Sequence, residues 1–256
     1  MPLVWKERIS IKKIKRHSLE LEEKVRRRTA ELERAHEDQR QMVMDVSHGL
    51  QTPLTVARGE IDLLQKQIPA NKKLELAAKS IDSVSRVIYD LLNLTYLEAS
   101  QENFKKDRVN LSVLMDEMVE YFETLAVDQN IELASRVEPG IIFRCHKEKI
   151  EELIRSLVSN AFKYLSSNGE RRITIELRRN NRFTELLVKD TGIGISSEDL
   201  PRIFDRFYRV KNGATANTPG IGLGLAICRK IAERHSGTIS VESEIGKGAA
   251  FLVRFQ

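Results

Sequence analysis

Three glycine-bearing blocks in the last third of the chain have the residue types of a nucleotide site. They read Asp190-Thr-Gly-Ile-Gly-Ile195, Phe204-Asp-Arg-Phe-Tyr208 and Gly220-Ile-Gly-Leu-Gly-Leu225. Asp190 ends a mostly apolar predicted strand, and a carboxylate there can accept a hydrogen bond from the amino group of adenine. Gly192 and Gly194 lack side chains, so backbone can pass close to the base and the ribose. The first block therefore predicts an adenine site.

The last glycine block predicts where the phosphates bind. Residues 222–235 are predicted to form a helix, and the backbone N–H groups at a helix start attract anions. The block is not a Walker A loop, because no Gly-Lys-Ser/Thr is present, and the Rossmann order of strand, glycine loop and helix is absent at the front of the domain. The residues predicted to bind ATP here are Gly220, Gly222, Leu223 and Gly224.

A predicted helix over residues 148–165 carries the candidate metal ligand. Asn160 lies next to its apolar stripe, and an amide oxygen suits Mg²⁺, which keeps much of its water and takes few protein ligands. Lys163 lies one turn further and can reach a phosphate as a point charge. Tyr164 is predicted to line the base pocket.

A histidine in a long helical stretch is the candidate nucleophile. The block reads Ser47-His-Gly-Leu-Gln-Thr-Pro-Leu54. A neutral imidazole can attack phosphorus, so His48 is a competent nucleophile of the right chemical type. Thr52 follows one turn later on the same face.

Five blocks of different type in this order resemble the transmitter core of two-component sensor histidine kinases, over about residues 45–255. The resemblance implies that ATP and Mg²⁺ bind the C-terminal part, that His48 is phosphorylated, and that an aspartate in the receiver domain of a response regulator then takes the phosphoryl group. It gives Asn160, Lys163 and Tyr164 the nucleotide roles proposed above. It gives Thr52 the orientation of the water that dephosphorylates the regulator.

The resemblance also implies a lid over the nucleotide. Residues 211–218 have the composition of a flexible segment and match the ATP lid of that family. We expect Phe204, Phe207 and Tyr208 to anchor the base of the lid, and Arg209 to reach toward the terminal phosphates.

One departure from the family pattern leaves alternatives open. Gly49 stands where an acidic residue usually follows the histidine, and general base help is typically worth about 10²–10⁴-fold. The chain is therefore either a kinase, a kinase-weak phosphatase that keeps Thr52, or an adaptor that binds nucleotide and regulator. A gyrase-like or mismatch-repair-like ATPase is disfavoured by the histidine block.

The elements that position these residues follow from periodicity. A heptad pattern over residues 11–49 predicts a parallel two-stranded coiled coil and hence a homodimer; a monomeric surface helix is the alternative. The helix should continue to residue 67, with a kink at Pro53, and a second helix should span residues 72–99. Two such hairpins make a dimeric four-helix bundle.

The remainder predicts an α/β sandwich with a mixed sheet. Helices are expected over 111–129, 148–165 and 222–235, and strands over 131–135, 141–144, 172–179, 183–190, 238–243 and 249–255. The predicted domains are a coiled-coil helix (1–44), a dimerisation and phosphotransfer domain (45–99), a linker (100–110) and an ATP-binding domain (111–256).

Charge and cysteine content suggest which partners the chain binds and where in the cell it works. The chain has 256 residues and a net charge of +5, with a basic run over residues 6–16 that is either a solvated helix face or a contact with anionic lipid. No nucleic-acid recognition module follows it. Cys145 and Cys228 have no paired spacing and are interpreted as reduced packing residues. We expect a cytoplasmic location, with membrane attachment only through a sensor region ahead of residue 1.

Overall fold

The computed structural model describes residues 2–68, 71–98, 104–166, 169–210 and 221–256. The chain divides into two compact units, Met1–Ser85 and Arg86–Gln256. The division falls inside the second helix. The predicted boundary at residues 99–100 lies outside the described residues, and the predicted domain limits stay predictions.

The first unit is a helical hairpin. It contains α1 (Pro2–Gln67) and the first half of α2 (Lys72–Glu98). α1 is one continuous helix through Pro53, and the kink predicted there stays a prediction. Arg58 links the two helices, because its guanidinium hydrogen bonds Asp82 at 2.8 Å on α2 as well as Asp62 on α1. Asn71 accepts a hydrogen bond from the backbone N–H of Lys73 at 3.0 Å, which starts α2 as an N-cap does.

Apolar side chains remain exposed along this hairpin. Those with more than a third of their surface exposed include Leu21, Val25, Met42, Val46, Leu50, Val56 and Leu63. An exposed apolar series along a helix is what a paired helix would cover. It fits the predicted homodimer and coiled coil, which remain predictions.

The second unit is an α/β sandwich. Its helices after α2 are α3 (Leu111–Asp128), α4 (Lys147–Tyr164) and α5 (Gly224–Arg234). Its strands are β1 (Asp107–Asn110), β2 (Glu132–Val137), β3 (Ile142–Cys145), β4 (Arg172–Asn180), β5 (Phe183–Asp190), β6 (Thr238–Glu244) and β7 (Gly248–Phe255).

The main sheet has five strands in the order β2-β4-β5-β7-β6. β2 pairs with β4 in parallel, and the other pairs are antiparallel, so the sheet is mixed. Alternate residues of the strands, such as Ile173, Ile175 and Val253, are fully buried and share one core with the buried faces of α3, α4 and α5. The predicted fold class, a helical hairpin followed by an α/β sandwich with a mixed sheet, is confirmed.

Two local predictions need correction. Residues 107–110 lie in the predicted linker, but they form β1 and pair antiparallel with β3. This strand escapes sequence analysis because Asp107 to Asn110 is short and polar, and its partner lies over thirty residues away. The predicted helix over 222–235 begins two residues later, at Gly224, because Gly222 has a φ of +78°, which a helix does not accommodate.

The end of α2 belongs to the second unit. Leu94 and Leu97 are buried in its core, and Asn93 hydrogen bonds both Glu152 and Lys149 of α4. Apolar burial together with a satisfied polar cluster fixes these last turns against α4.

The two cysteines are buried and free. Burial raises the pKa of Cys145 to about 11 and that of Cys228 to about 12. Because the thiolate is the reactive form, these values agree with the interpretation of both cysteines as reduced packing residues.

Candidate nucleotide and phospho-acceptor sites

The strand β5 ends in a buried carboxylate that its surroundings hold in place. Asp190 is 5% exposed, and its Oδ1 accepts hydrogen bonds from the backbone N–H groups of Gly192 at 2.8 Å and Ala249 at 3.2 Å. Oδ2 has no hydrogen bond to any described residue. Burial raises the pKa of Asp190, and the two N–H donors act in the opposite direction. A fixed acceptor with one unused oxygen is suited to an amino group of a ligand.

The loop after Asp190 is folded against the end of α4. The N–H of Ile193 donates to the carbonyl oxygen of Tyr164 at 3.0 Å. A Cβ on Gly192 would overlap that same oxygen, and a Cβ on Gly194, which has a φ of +71°, would overlap the carbonyl of Glu244. Neighbouring protein backbone therefore excludes a side chain at both positions. The close approach to base and ribose predicted from the sequence stays a prediction.

The residues proposed on α4 lie at the same end of the helix as this loop. Asn160 and Tyr164 are half-buried, and Lys163 is exposed. Loss of water around the Lys163 ammonium lowers its pKa, and the positive charge of the nearby Arg86 lowers it further. An anionic phosphate would reverse this shift, because an opposite charge favours the charged form.

The start of α5 offers uncapped backbone donors. Gly224 begins the helix, and the N-cap residue Leu223 makes no side-chain hydrogen bond to the N–H groups of the first turn. Because an α-helix leaves its first four N–H groups without an intrahelical partner, this end suits a phosphate. The side chain of Leu223 is 1% exposed, so this residue anchors the helix start in the core and only its backbone can face a ligand.

The start of α5 lies close to α4 and is hydrogen bonded to the segment before the predicted lid. A Cβ on Gly224 would lie 3.1 Å from the hydroxyl of Ser156 on α4, and the carbonyl of Gly222 accepts a hydrogen bond from the N–H of Phe207 at 2.9 Å. Gly220 and the predicted lid over 211–218 lie outside the described residues.

The segment before the lid is only partly anchored as predicted. Tyr208 donates its hydroxyl to Asp199 at 2.6 Å, and Arg202 lies over its ring at 4.3 Å. Phe204 packs against Phe251 in the core. The ring of Phe207 does not anchor the segment, because it is 62% exposed; the residue contributes through its backbone, at a φ of +61°.

Arg209 is half-buried in the same segment, directly before the predicted lid. Arg209 interacts with its surroundings in the second unit. The structure thus brings Asn160, Lys163, Tyr164, Asp190, Gly192, Gly194 and the α5 start into one region of the second unit.

The phospho-acceptor candidates lie on α1 in the first unit. His48 and Thr52 are both exposed and one turn apart. Thr52 has no hydrogen bond from its hydroxyl to another described residue, whereas the hydroxyl of Thr55 donates to the carbonyl of Gln51 at 2.9 Å. Gly49 has open space where a Cβ would be.

The first residues of β7, next to the turn after β6, contribute to the site although the sequence did not predict it. Ala249 supplies the second N–H to Asp190, and a Cβ on Gly248, at a φ of +85°, would overlap the carbonyl of Asp190. The Gly246-Lys-Gly248 sequence was a signal for a tight turn, but only the pairing of β5 with β7 shows that this turn reaches Asp190.

No helix in the described part of the chain is long and apolar enough to cross a membrane.

Two family models match this chain. Residues 38–100 match the His Kinase A (phospho-acceptor) domain, and residues 145–256 match the histidine kinase-, DNA gyrase B- and HSP90-like ATPases. The two matches follow each other in the order of the helical hairpin and the α/β sandwich.

Curated relatives match most of this chain. The chain is 30% identical over 224 residues to the sensor histidine kinase WalK of Bacillus subtilis, covering 85% of this chain and 36% of WalK. It is 33% identical over 247 residues to the signal transduction histidine-protein kinase ArlS of Staphylococcus epidermidis, covering 88% of this chain and 50% of ArlS. The chain therefore spans half or less of the length of these relatives.

Solved structures share the fold. Full-length ShkA in complex with AMPPNP superposes with a TM-score of 0.71 at 23% identity, covering 84% of this chain and 45% of ShkA. The catalytic domain of the histidine kinase ThkA gives a TM-score of 0.51 at 27% identity, covering 59% of this chain and 95% of that domain.

Proposed function

Because this chain belongs to the sensor histidine kinases, we propose that it transfers the γ-phosphoryl group of ATP to His48. The observation that carries the proposal is the fixed carboxylate of Asp190. Its Oδ1 is held by two backbone N–H groups, which leaves Oδ2 to accept a hydrogen bond from the adenine amino group.

The other candidate residues divide the binding of ATP among them. Gly192 and Gly194 let the backbone approach the base, and Tyr164 lines its pocket. Lys163 and Arg209 bind phosphates as cations, together with the N–H groups around Gly220, Gly222, Leu223 and Gly224. In-line phosphoryl transfer depends on such positioning and charge neutralisation more than on covalent help.

A magnesium ion is the cofactor that the ATP-binding domain implies. The half-buried amide of Asn160 fits it, because Mg²⁺ accepts one or two protein oxygens and takes its remaining ligands from water and phosphate. When bound, Mg²⁺ neutralises phosphate charge. Asn160 would hold the ion and so help to orient the phosphate chain.

His48 acts as the nucleophile, and Thr52 acts on a partner. An exposed imidazole on a long helix is open to attack the γ-phosphorus, and the product can pass its phosphoryl group to an aspartate in a receiver domain. The hydroxyl of Thr52 has no hydrogen bond to another described residue, so it is available to orient a water that removes phosphate from that regulator. This phosphatase activity is the second candidate function.

The assembly proposed for this activity is a homodimer. Exposed apolar residues of α1 and α2 support a four-helix bundle over 45–99 preceded by a coiled coil over 1–44, and the ATP-binding domain over 111–256 then serves His48 of either chain. We propose that this core works in the cytoplasm and that a sensor region attaches the full-length protein to the membrane.

Incubation with γ-labelled ATP and Mg²⁺ tests the proposal. We expect an acid-labile label on this chain that moves to a receiver domain added afterwards. ATP binding without any label would instead favour the adaptor.

A further inference from the structure

One stripe of α1 brings four polar residues together. Gln41, Asp45, His48 and Thr52 lie within about 60° of each other around the helix axis, at 3.6 residues per turn, and α1 is continuous over them. Asp45 and His48 are both exposed. The stripe therefore places a carboxylate on the same open face as the proposed nucleophile.

Asp45 is the only carboxylate within four residues of His48. Side chains three residues apart on a helix have Cβ atoms about 5–6 Å apart. Helical side chains lean toward the N-terminus, so the imidazole of His48 leans over the turn that carries Asp45. Position 49, by contrast, lies about 100° around the helix and is a glycine with open space beside it.

Gln41 holds the carboxylate in this stripe. Its Nε2 donates to Oδ1 of Asp45 at 2.8 Å. Oδ2 has no hydrogen bond to any residue that the structure describes, and it is the oxygen left for the imidazole. A carboxylate that accepts from one ring nitrogen of a histidine sets which nitrogen carries the proton.

We propose that Asp45 is a positioning residue that takes the place of the acid missing at position 49, an inference that rests on the proposed phosphorylation of His48. Asp45 accepts the Nδ1–H of His48, which leaves the lone pair on Nε2. That lone pair forms the N–P bond, while the bond from the γ-phosphorus to the bridging oxygen breaks and its electrons leave with ADP. Asp45 then balances the positive charge of the phosphorylated ring or takes its Nδ1 proton.

The test compares initial rates of labelling by γ-labelled ATP in the whole chain. Asp45→Asn keeps the shape and the oxygen that accepts from Gln41, but it removes the charge. We expect labelling to fall about 10²-fold, with ATP affinity unchanged. Asp38→Asn is the control, because Asp38 is an exposed carboxylate of the same helix, and its rate should stay within about two-fold of the unsubstituted chain.

A second variant separates charge from structure. Gly49→Glu should restore most of the lost rate in the Asp45→Asn background and add little to the unsubstituted chain, since a merely structural role of Asp45 could not be replaced from position 49. Unchanged labelling of Asp45→Asn, or a loss without rescue, would overturn the inference and leave the kinase intact. If the unsubstituted chain takes no label but Gly49→Glu does, Asp45 does not replace the acid; if neither takes label, the proposed kinase activity fails as well.

Discussion

The backbone N–H of Gly192 donates to Oδ1 of Asp190 at 2.8 Å, so the first glycine of the loop fixes the carboxylate that precedes it. The same glycine lies against the carbonyl of Tyr164 at the end of α4. Gly192 thus connects β5, which ends in the carboxylate proposed to bind adenine, to α4, which carries the proposed metal ligand Asn160.

Asp190→Asn should weaken ATP binding about 10- to 100-fold, since hydrogen bonds to charged groups are worth about 1.5–3 kcal/mol. The amide keeps one oxygen for Gly192 and Ala249, but it presents an N–H group to the adenine amino group. Titration calorimetry with ATP measures the effect. Asp128→Asn is the control, because this exposed carboxylate ends α3 on the surface; equal affinity of the two variants would remove Asp190 from the site.

Gly194→Ala should weaken ATP binding at least about ten-fold, which corresponds to about 1.4 kcal/mol. Both Gly194 and Gly246 have a positive φ, but a Cβ overlaps backbone only at Gly194, whereas Gly246 has open space. Gly246→Ala therefore carries only the conformational cost of about 1–2 kcal/mol in stability and should bind ATP normally. The site would not depend on loop geometry if both variants bound ATP like the unsubstituted chain.

Because of His235, the free energy of unfolding of the second unit should decrease as the pH is lowered from neutral. This ring is 2% exposed, its Nδ1 donates to the carbonyl of Ile231, and its Nε2 accepts from the N–H of His146. Burial lowers the pKa of His235 from 6.5 to about 4, helped by Lys106, His146 and Arg234. Between these values the unfolded chain binds a proton that the folded chain does not, so the free energy of unfolding decreases as the pH falls.

Urea denaturation measures that loss. Between about pH 7 and about pH 5 the unsubstituted chain should lose about 2 kcal/mol more than His235→Gln, because glutamine keeps an acceptor but does not titrate. Parallel losses in the two proteins would show that other groups account for the acid sensitivity.

Most helices and strands of this fold can be predicted from local sequence patterns, whereas fewer features of the site can. The stripes of α3 and α4, the hairpin of β4 and β5 and the strand ending in Asp190 each have a clear period or turn, and the structure confirms them. The short polar strand β1 has neither, since its existence depends on pairing with β3. The buried Phe104 just before it is a single apolar residue in a polar stretch, which no periodicity can detect.

Contacts between segments far apart in the sequence explain the site features that the sequence did not predict. The hold of Ala249 on Asp190 depends on how β5 and β7 pair. The exposed ring of Phe207 could not be anticipated, because aromatic residues near glycines are as consistent with packing as with a surface position. Its positive φ is a backbone feature that composition does not reveal.

Thr52→Ala should slow the loss of phosphate from a receiver domain by about ten-fold or more, because a misplaced water costs that much or more in rate. The assay uses a receiver domain that accepts phosphate from this chain. The receiver domain is first phosphorylated with a small phosphodonor, and its loss of phosphate is then followed over time. Thr55→Ala is the matched control, since the hydroxyl of Thr55 is engaged with Gln51. If Thr52→Ala and Thr55→Ala removed phosphate equally fast, Thr52 would have no part in the phosphatase.

The central claim is that His48 receives the γ-phosphoryl group of ATP. The most direct measurement compares labelling of the unsubstituted chain, His48→Gln and His17→Gln by γ-labelled ATP with Mg²⁺, where His17 is an exposed histidine of the same helix. The account predicts an acid-labile label that is lost only in His48→Gln. Label that persists in His48→Gln, or no label in any of the three while ATP still binds, would contradict it.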